Sequence, residues 1–377
     1  MTRPKTIAEL ADAVAAATTP FELRGLGSKG KLGRVPTGET LDLSGFKGII
    51  KYEPEELILE VGAAMTLAEV EKLLAKNNQM LAFDPPDLSA LLGVKNSGTM
   101  GGIVACNLSG PRRMKAGAAR DHVLGLSAVS GRGEVFKTGA HVVKNVTGYD
   151  LPKLMAGSYG TLAAFTSVIF KVMPKPETQT TLQTHCASDQ EALALMTKAM
   201  ESPHEVSGAA YLPGQGVMLR VEGIGPSVDF RAKALAKMLD AKSEIIEEKA
   251  STKIWQDLRD VKLFADSQSR HIWKISIPPQ DAPAVIAALK PKLEFRYVLD
   301  WAGGLIWLDH EPQAASHLIR GALKSGHAML FRADDETRNA DAVFSPQPAP
   351  LAALTERVKR AFDPKGLFNP GRMVKGH

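Results

Sequence analysis

The chain has 377 residues, 44% apolar and 23% charged, which excludes a disordered or fibrous polypeptide and allows two or three domains with cores of their own. Its formal charge of +5 is spread along the sequence and only 6% of residues are aromatic, so the basic stripe with interleaved aromatics of a nucleic-acid protein is missing. Two distant cysteines, Cys106 and Cys186, argue against a disulfide framework and suit a reducing cytoplasm. The first residues, Met1-Thr2-Arg3-Pro4-Lys5, run into a charged helical pattern, so a signal peptide is not expected. No run approaches the ~18 apolar residues of a membrane helix, and membrane association is expected only peripherally, through partners.

In chain order, Thr6-Ile7-Ala8-Glu9 is a capping box that opens a short helix through Val14. Phe21 to Arg24 reads as a strand that feeds a glycine loop, Gly25 to Gly33. Leu57 to Val61 is a strand, and Thr66-Leu67-Ala68-Glu69 caps a helix with Leu67, Val70, Leu73 and Leu74 on one face. A second glycine-rich segment spans Gly98 to Gly110. Val123 to Val129 and Glu134 to Thr138 form a hairpin about Gly131-Arg132-Gly133, and Phe165 to Val172 is a further strand.

Pro174-Lys175-Pro176 is the best domain boundary. Beyond it, strands at 178–184, 209–212 and 217–221 alternate with helices at 188–200 and 227–239. After a helical 252–264, the pattern repeats: strand 272–277, helix 283–289, strands 295–299 and 305–308, helix 312–323 and strand 328–331. Two β-α-β-β-α units suggest helices over one face of an antiparallel sheet. A proline-rich linker, 342–350, leads to a helix with Leu351, Leu354, Val358 and Phe362 at helical spacing, then a tight turn at Leu367 to Arg372.

Gly25, Gly27 and Gly30 satisfy GxGxxG, yet Gly33 and Pro36 follow at once, so the helix that fingerprint needs cannot be built. Leu32 stands where a phosphate-binding P-loop needs a hydroxyl. What survives is a nest of backbone amides ringed by Arg24, Lys29 and Lys31, suited to a pyrophosphate or, failing that, a plain surface loop.

The loop does not stand alone. Asp84-Pro85-Pro86, Ser97 to Gly110, Arg120 to Leu126, and Gly148 to Leu154 with Gly157 to Leu162 follow in series. Over roughly residues 5 to 175, this series resembles the FAD domain of the vanillyl-alcohol oxidase (PCMH-type) flavoproteins, with 361–372 similar to the family's closing segment. Within that family it looks most like the FAD-binding subunits of the bacterial glycolate oxidase type.

The resemblance implies an α+β fold: a two-subdomain PCMH-type FAD-binding domain at 1–175, an α+β cap at 176–341, and a segment, 342–377, that returns to the first domain. Arg24, Gly25, Leu26, Gly27, Ser28 and Lys29 are expected to wrap the pyrophosphate. Thr99, Gly101, Gly102, Asn107, Ser109 and Gly110 are expected along the flavin, Asp121 beside them, Gly160 and Thr161 near the adenine, and Asn369 by the isoalloxazine. Where the family loop runs Arg-Gly-Gly-Gly-Thr-Ser this chain has Leu26, Ser28 and Lys29, changes that keep the backbone amides. Relatives with covalent flavin often use a loop histidine; none occurs between residues 21 and 40, so FAD is expected to be non-covalent.

The implied reaction is oxidation of a small 2-hydroxy acid, glycolate to glyoxylate. A sister flavoprotein subunit is implied to carry the substrate site and an iron–sulfur subunit to accept electrons, since two cysteines cannot hold a cluster. Arg113, Arg270, Arg296 and Arg332 are candidate carboxylate clamps and His271 a candidate base. The nine histidines include no HxH or HxxxH pair, and no metal site is expected. A self-sufficient FAD oxidoreductase and a non-catalytic flavin-holding scaffold remain open alternatives.

Overall fold

The computed structural model describes residues 1–140 and 149–375, so Gly148 of the quoted series lies outside the described residues. The chain divides into two compact units. Met1–Ser109, Ala118–Pro174 and Pro346–His377 form the first, and Gly110–Gly117 with Lys175–Ser345 form the second.

In the first unit the capped helices form where local signals place them. Thr6 Oγ1 accepts from Glu9 N at 3.1 Å at the head of Ile7–Ala15, and Thr66 with Glu69 makes a reciprocal box at the head of Leu67–Ala75. The five-stranded sheet runs Ile49–Glu53, Ile58–Gly62, Ala163–Lys171, Val123–Ser130, Val135–Gly139, every neighbour antiparallel. Ala163–Lys171 is buried at every position but its last, hence its apolar composition without a polar alternation, and its two hydroxyls are hydrogen-bonded, Thr166 to Ser127 O and Ser167 to Glu60.

Beside this sheet, Phe21–Arg24 pairs parallel with Glu39–Asp42, a strand not foreseen because only its last two residues are buried. Leu10, Val14, Phe21, Leu41, Phe46, Val129, Leu367 and Phe368 share one core cluster, so the C-terminal tail is built into the same core as the first helix and strand. The helix Ala349–Phe362 reaches that core through its end. Buried Lys359 donates to Thr161 O at 2.7 Å and Phe368 O at 3.0 Å and pairs with Asp363, whose carboxylate accepts from Leu367 N and Phe368 N. The expected apolar stripe is the correction here: Leu351 and Leu354 are exposed.

The second unit is built on an eight-stranded antiparallel sheet. Its order is Ser243–Ile246, Thr178–Thr184, Gly216–Gly223, Gly208–Leu212, Phe295–Asp300, Leu305–His310, His271–Ser276, His327–Arg332. The helices do not keep to one face. Gly208–Leu212 and Gly216–Gly223 are buried on both faces, and Trp255 of Glu248–Arg259 covers the side carrying Gly208, Met218 and Arg220. Part of the expected linker is also packed: Val343 is fully buried and its carbonyl accepts from Leu330 N at 2.8 Å. Among the described residues no helix is long and apolar enough to cross a membrane.

Candidate functional site

A cleft opens in the first unit, lined by glycine-rich backbone, apolar side chains and a few charged groups. Four chain segments, with Leu43, Ala63 and Ala64, make its walls. The first is the turn after Phe21–Arg24, closed by Gly30 N donating to Gly27 O at 3.2 Å, with Gly27 in the left-handed region at φ 73°. Arg24 at its start donates to Glu22 at 2.7 Å.

The second wall is the helix Met100–Ala105, which forms within a glycine-rich run. Thr99 Oγ1 caps it by accepting from Gly102 N at 3.2 Å, and Met100, Ile103 and Val104 are fully buried, so cap and packing offset poor glycine propensity. Gly101 N donates to Ala63 O at 2.8 Å, docking the helix against the end of Ile58–Gly62. Gly98, at φ 88°, sets the approach of this segment to the loop. A Cβ there would stand 2.5 Å from Lys29 Nζ and 2.6 Å from Ser28 Oγ.

The third wall comprises Tyr159, Gly160, Ala163 and Phe165, and the fourth is the tail, with Asn369 and Arg372. Asn369 is a clip. Its Oδ1 accepts from Leu23 N at 2.9 Å while Nδ2 donates to Tyr159 O at 2.9 Å and Gly160 O at 3.2 Å, so one amide joins three walls.

The electrostatics of the cleft centre on Lys29. Its side chain is buried, and among the described residues its ammonium makes only long hydrogen bonds, to Ser97 O (3.4 Å) and Ser28 Oγ (3.5 Å). Burial pushes its pKa down. A buried ammonium with long neutral partners and no ion pair among the described residues fits an anion arriving from outside the chain. Burial also pushes the Tyr159 phenol well up, so it stays neutral.

Of the residues singled out from sequence, the cleft gathers Arg24, Gly25, Leu26, Gly27, Ser28, Lys29, Thr99, Gly101, Gly102, Gly160 and Asn369. The others lie off its walls, and local backbone geometry explains their polar groups. Asn107 Oδ1 accepts from Arg120 N at 3.1 Å, Ser109 Oγ from Ala119 N at 2.8 Å, and Asp121 from Ala118 N at 2.9 Å. Thr161 Oγ1 donates to Ser158 O at 2.7 Å. Gly110 belongs to the second unit, where its carbonyl accepts from Trp301 Nε1 at 3.1 Å.

Sequence reasoning missed Ala63, Ala64, Cys106, Tyr159 and Arg372 as lining residues. Tyr159 and Arg372 stood inside quoted motifs; the alanines carry no chemical signal.

In the second unit, the candidate substrate groups are already engaged. Fully buried Asp309 is held by Arg270 at 2.9 Å and by Arg296, which also grips Asp266. Arg332 donates to Arg270 O and Ser267 O, and His271 Nε2 lies 3.0 Å from Asp334. The Arg113 guanidinium lies 4.3 Å above the Trp301 ring. Among the described residues no cluster suited to a metal ion occurs.

Comparison with known proteins agrees with this geometry. Residues 1–139 match the family model described as FAD binding domain. The chain is 36% identical to the glycolate oxidase subunit GlcE of Escherichia coli over 94% of its own length and 93% of the relative's. It is also 36% identical to the glycolate oxidase subunit GlcD of Bacillus subtilis over 43% of this chain and 34% of that one. A D-lactate dehydrogenase of Archaeoglobus fulgidus is 33% identical over 43% of this chain and 35% of its own. Among solved structures an alkyldihydroxyacetonephosphate synthase superposes over 98% of this chain and 75% of its own with a TM-score of 0.65, at 15% identity, a likeness of fold. The chain is an FAD-binding α+β flavoprotein and belongs to the family of the glycolate oxidase subunit GlcE.

Proposed function

We propose that this chain is the FAD-binding subunit of a complex that oxidises a small 2-hydroxy acid, glycolate to glyoxylate, and passes the electrons to an iron–sulfur subunit. The observation that carries the reading is the cleft: glycine-bordered backbone on two walls around a buried lysine with no carboxylate partner among the described residues. Arg24, Gly25, Leu26, Gly27, Ser28 and Lys29 would hold the pyrophosphate, with Thr99, Gly101 and Gly102 on the facing wall and Gly160 and Asn369 closing the site. Bound there, FAD supplies a two-electron acceptor for hydride.

This chain's residues bind and orient the cofactor and keep water from it. Lys29 contributes positive charge at low dielectric, and Ala63, Ala64 and Phe165 supply apolar wall. Of the clamps and base considered for a substrate, Arg270, Arg296, Arg332 and His271 are spent on one another and on Asp309 and Asp334, and Arg113 lies over the Trp301 ring. That favours a substrate site on a sister flavoprotein subunit over a self-sufficient enzyme. With two cysteines the chain cannot ligate an iron–sulfur cluster, so the next carrier lies on a partner. Membrane association, on this reading, is peripheral and runs through the complex.

Anaerobic titration of the purified chain, alone and with its partners, tests the proposal. The bound flavin should be bleached by dithionite, resist glycolate in the isolated chain, and respond to glycolate once both partners are added. Steady turnover of glycolate by the chain alone would overturn the division of labour. A flavin that stays oxidised in the assembled complex would reduce the chain to a scaffold.

A further inference from the structure

We propose that Arg372, on the C-terminal tail, is a second phosphate-binding cation of the cofactor cleft, so that the tail locks the dinucleotide in place. The inference rests on the FAD reading above and goes beyond it, because it concerns a residue 343 positions away from the loop it serves.

Three observations carry it. Arg372 is only 5% exposed and lines the cleft, yet its Nε is a buried donor with no acceptor among the described residues. Leaving a buried donor of a charged group unpaired costs about 1–3 kcal/mol or more, a cost that an arriving acceptor removes. Second, Arg372 Nη2 donates to Lys29 O at 2.6 Å, which brings the guanidinium against the residue whose ammonium also lacks an ion pair. Third, the charges lining the cleft are Glu22, Arg24, Lys29 and Arg372. Glu22 is answered by Arg24, so two buried positive charges are left without an ion pair among the described residues, Asp87 acting on Lys29 only through space, and a pyrophosphate diester, with one negative charge per phosphorus, balances them.

The tail is held in place for this role. Arg34 N donates to Arg372 O at 2.8 Å, Arg372 N donates to Asn369 O at 3.1 Å, and Asn369 is clipped to the other walls. Gly33, at φ 80°, lies against the stem of Arg372, where a Cβ would come within 3.1 Å of Cγ. The tail therefore cannot swing away without breaking the same contacts that shape the loop.

The test measures binding of FAD, ADP and riboflavin to the full apo chain, wild type against Arg372→Gln, with the melting temperature of each apo protein as a control. Arg372→Gln is expected to weaken FAD and ADP alike, by about ten- to a hundredfold, while any riboflavin binding and the apo melting temperature stay close to wild type. Arg372→Lys should recover part of the ADP affinity, and it serves as the deciding variant if the glutamine protein does not fold. Wild-type constants for FAD and ADP in both variants would overturn the role of Arg372 and leave the FAD reading standing. A wild-type chain that binds neither FAD nor ADP would overturn both.

Discussion

Replacing Asn369 by alanine removes one side chain that satisfies three backbone groups on separate segments: Leu23 N, Tyr159 O and Gly160 O. The residue is 2% exposed, so water does not restore those partners. Each orphaned buried group costs about 1–3 kcal/mol, with the lower end apt for carbonyls, which tolerate incomplete pairing better than N–H groups. Asn369 also sits at φ 45°, where asparagine is tolerated and alanine pays about 1–2 kcal/mol. Together these put Asn369→Ala at about 4–7 kcal/mol, near or beyond the top of what single substitutions do. The assay is urea unfolding of the apo chain followed by circular dichroism, read as the midpoint shift at constant slope. Asn369→Gly separates the two causes, since glycine relieves the backbone strain and loses only the hydrogen bonds; it should be milder than alanine by about 1–2 kcal/mol. A loss below about 1 kcal/mol in the apo chain would refute the clip, and would return Asn369 to a role that only the cofactor reveals.

Other consequences can be checked in the same preparation. Gly98→Ala puts a methyl 2.5 Å from Lys29 Nζ at a left-handed backbone position, so it should cost about 1–2 kcal/mol of stability and weaken FAD binding, measured by fluorescence quenching. Because burial lowers the Lys29 pKa in the empty cleft and an anion favours its charged form, FAD affinity should fall as pH rises through that lowered value; Lys29→Met should flatten the dependence. Asp334 is held down to about 2, first by hydrogen bonding from Thr337 N. Its folded pKa lies below the unfolded value near 3.8, so its contribution is complete above that pH and is lost as pH falls towards 2. Asp334→Ala should cost about 1 kcal/mol at neutral pH as a lost helix cap and should blunt the acid limb of a stability profile. Lys359→Leu leaves Asp363 buried without its cation and should cost about 3–5 kcal/mol, seen in the same urea titration.

What could be read in the sequence was local. The caps at Thr6 and Thr66 fall where a hydroxyl meets the third following amide, and both open helices. The glycine-bordered loop announced its backbone freedom, though not the segments that face it. Long-range placement was not legible. The helix Met100–Ala105 forms against its propensity because buried neighbours hold it. Leu351 and Leu354 share helical spacing with the half-buried Val358 and Phe362 yet face outward, since spacing gives a stripe and not what covers it. Asn107, Ser109, Asp121 and Thr161 sat in the right motifs, but their side chains serve nearby amides and carbonyls, a use that motif spacing does not distinguish from ligand binding. Arg372 looked like the end of a turn until the tail returned it to Lys29.

The central claim is that the cleft of the first unit holds non-covalent FAD. The most direct measurement is the absorption spectrum of the purified chain before and after acid precipitation, with the released flavin identified by chromatography. FAD recovered in the supernatant at one per chain, with loss of that occupancy in Gly98→Ala, is the predicted result. Flavin that stays with the precipitate would contradict non-covalent binding, and a chain that takes up no FAD on reconstitution would contradict the account as a whole.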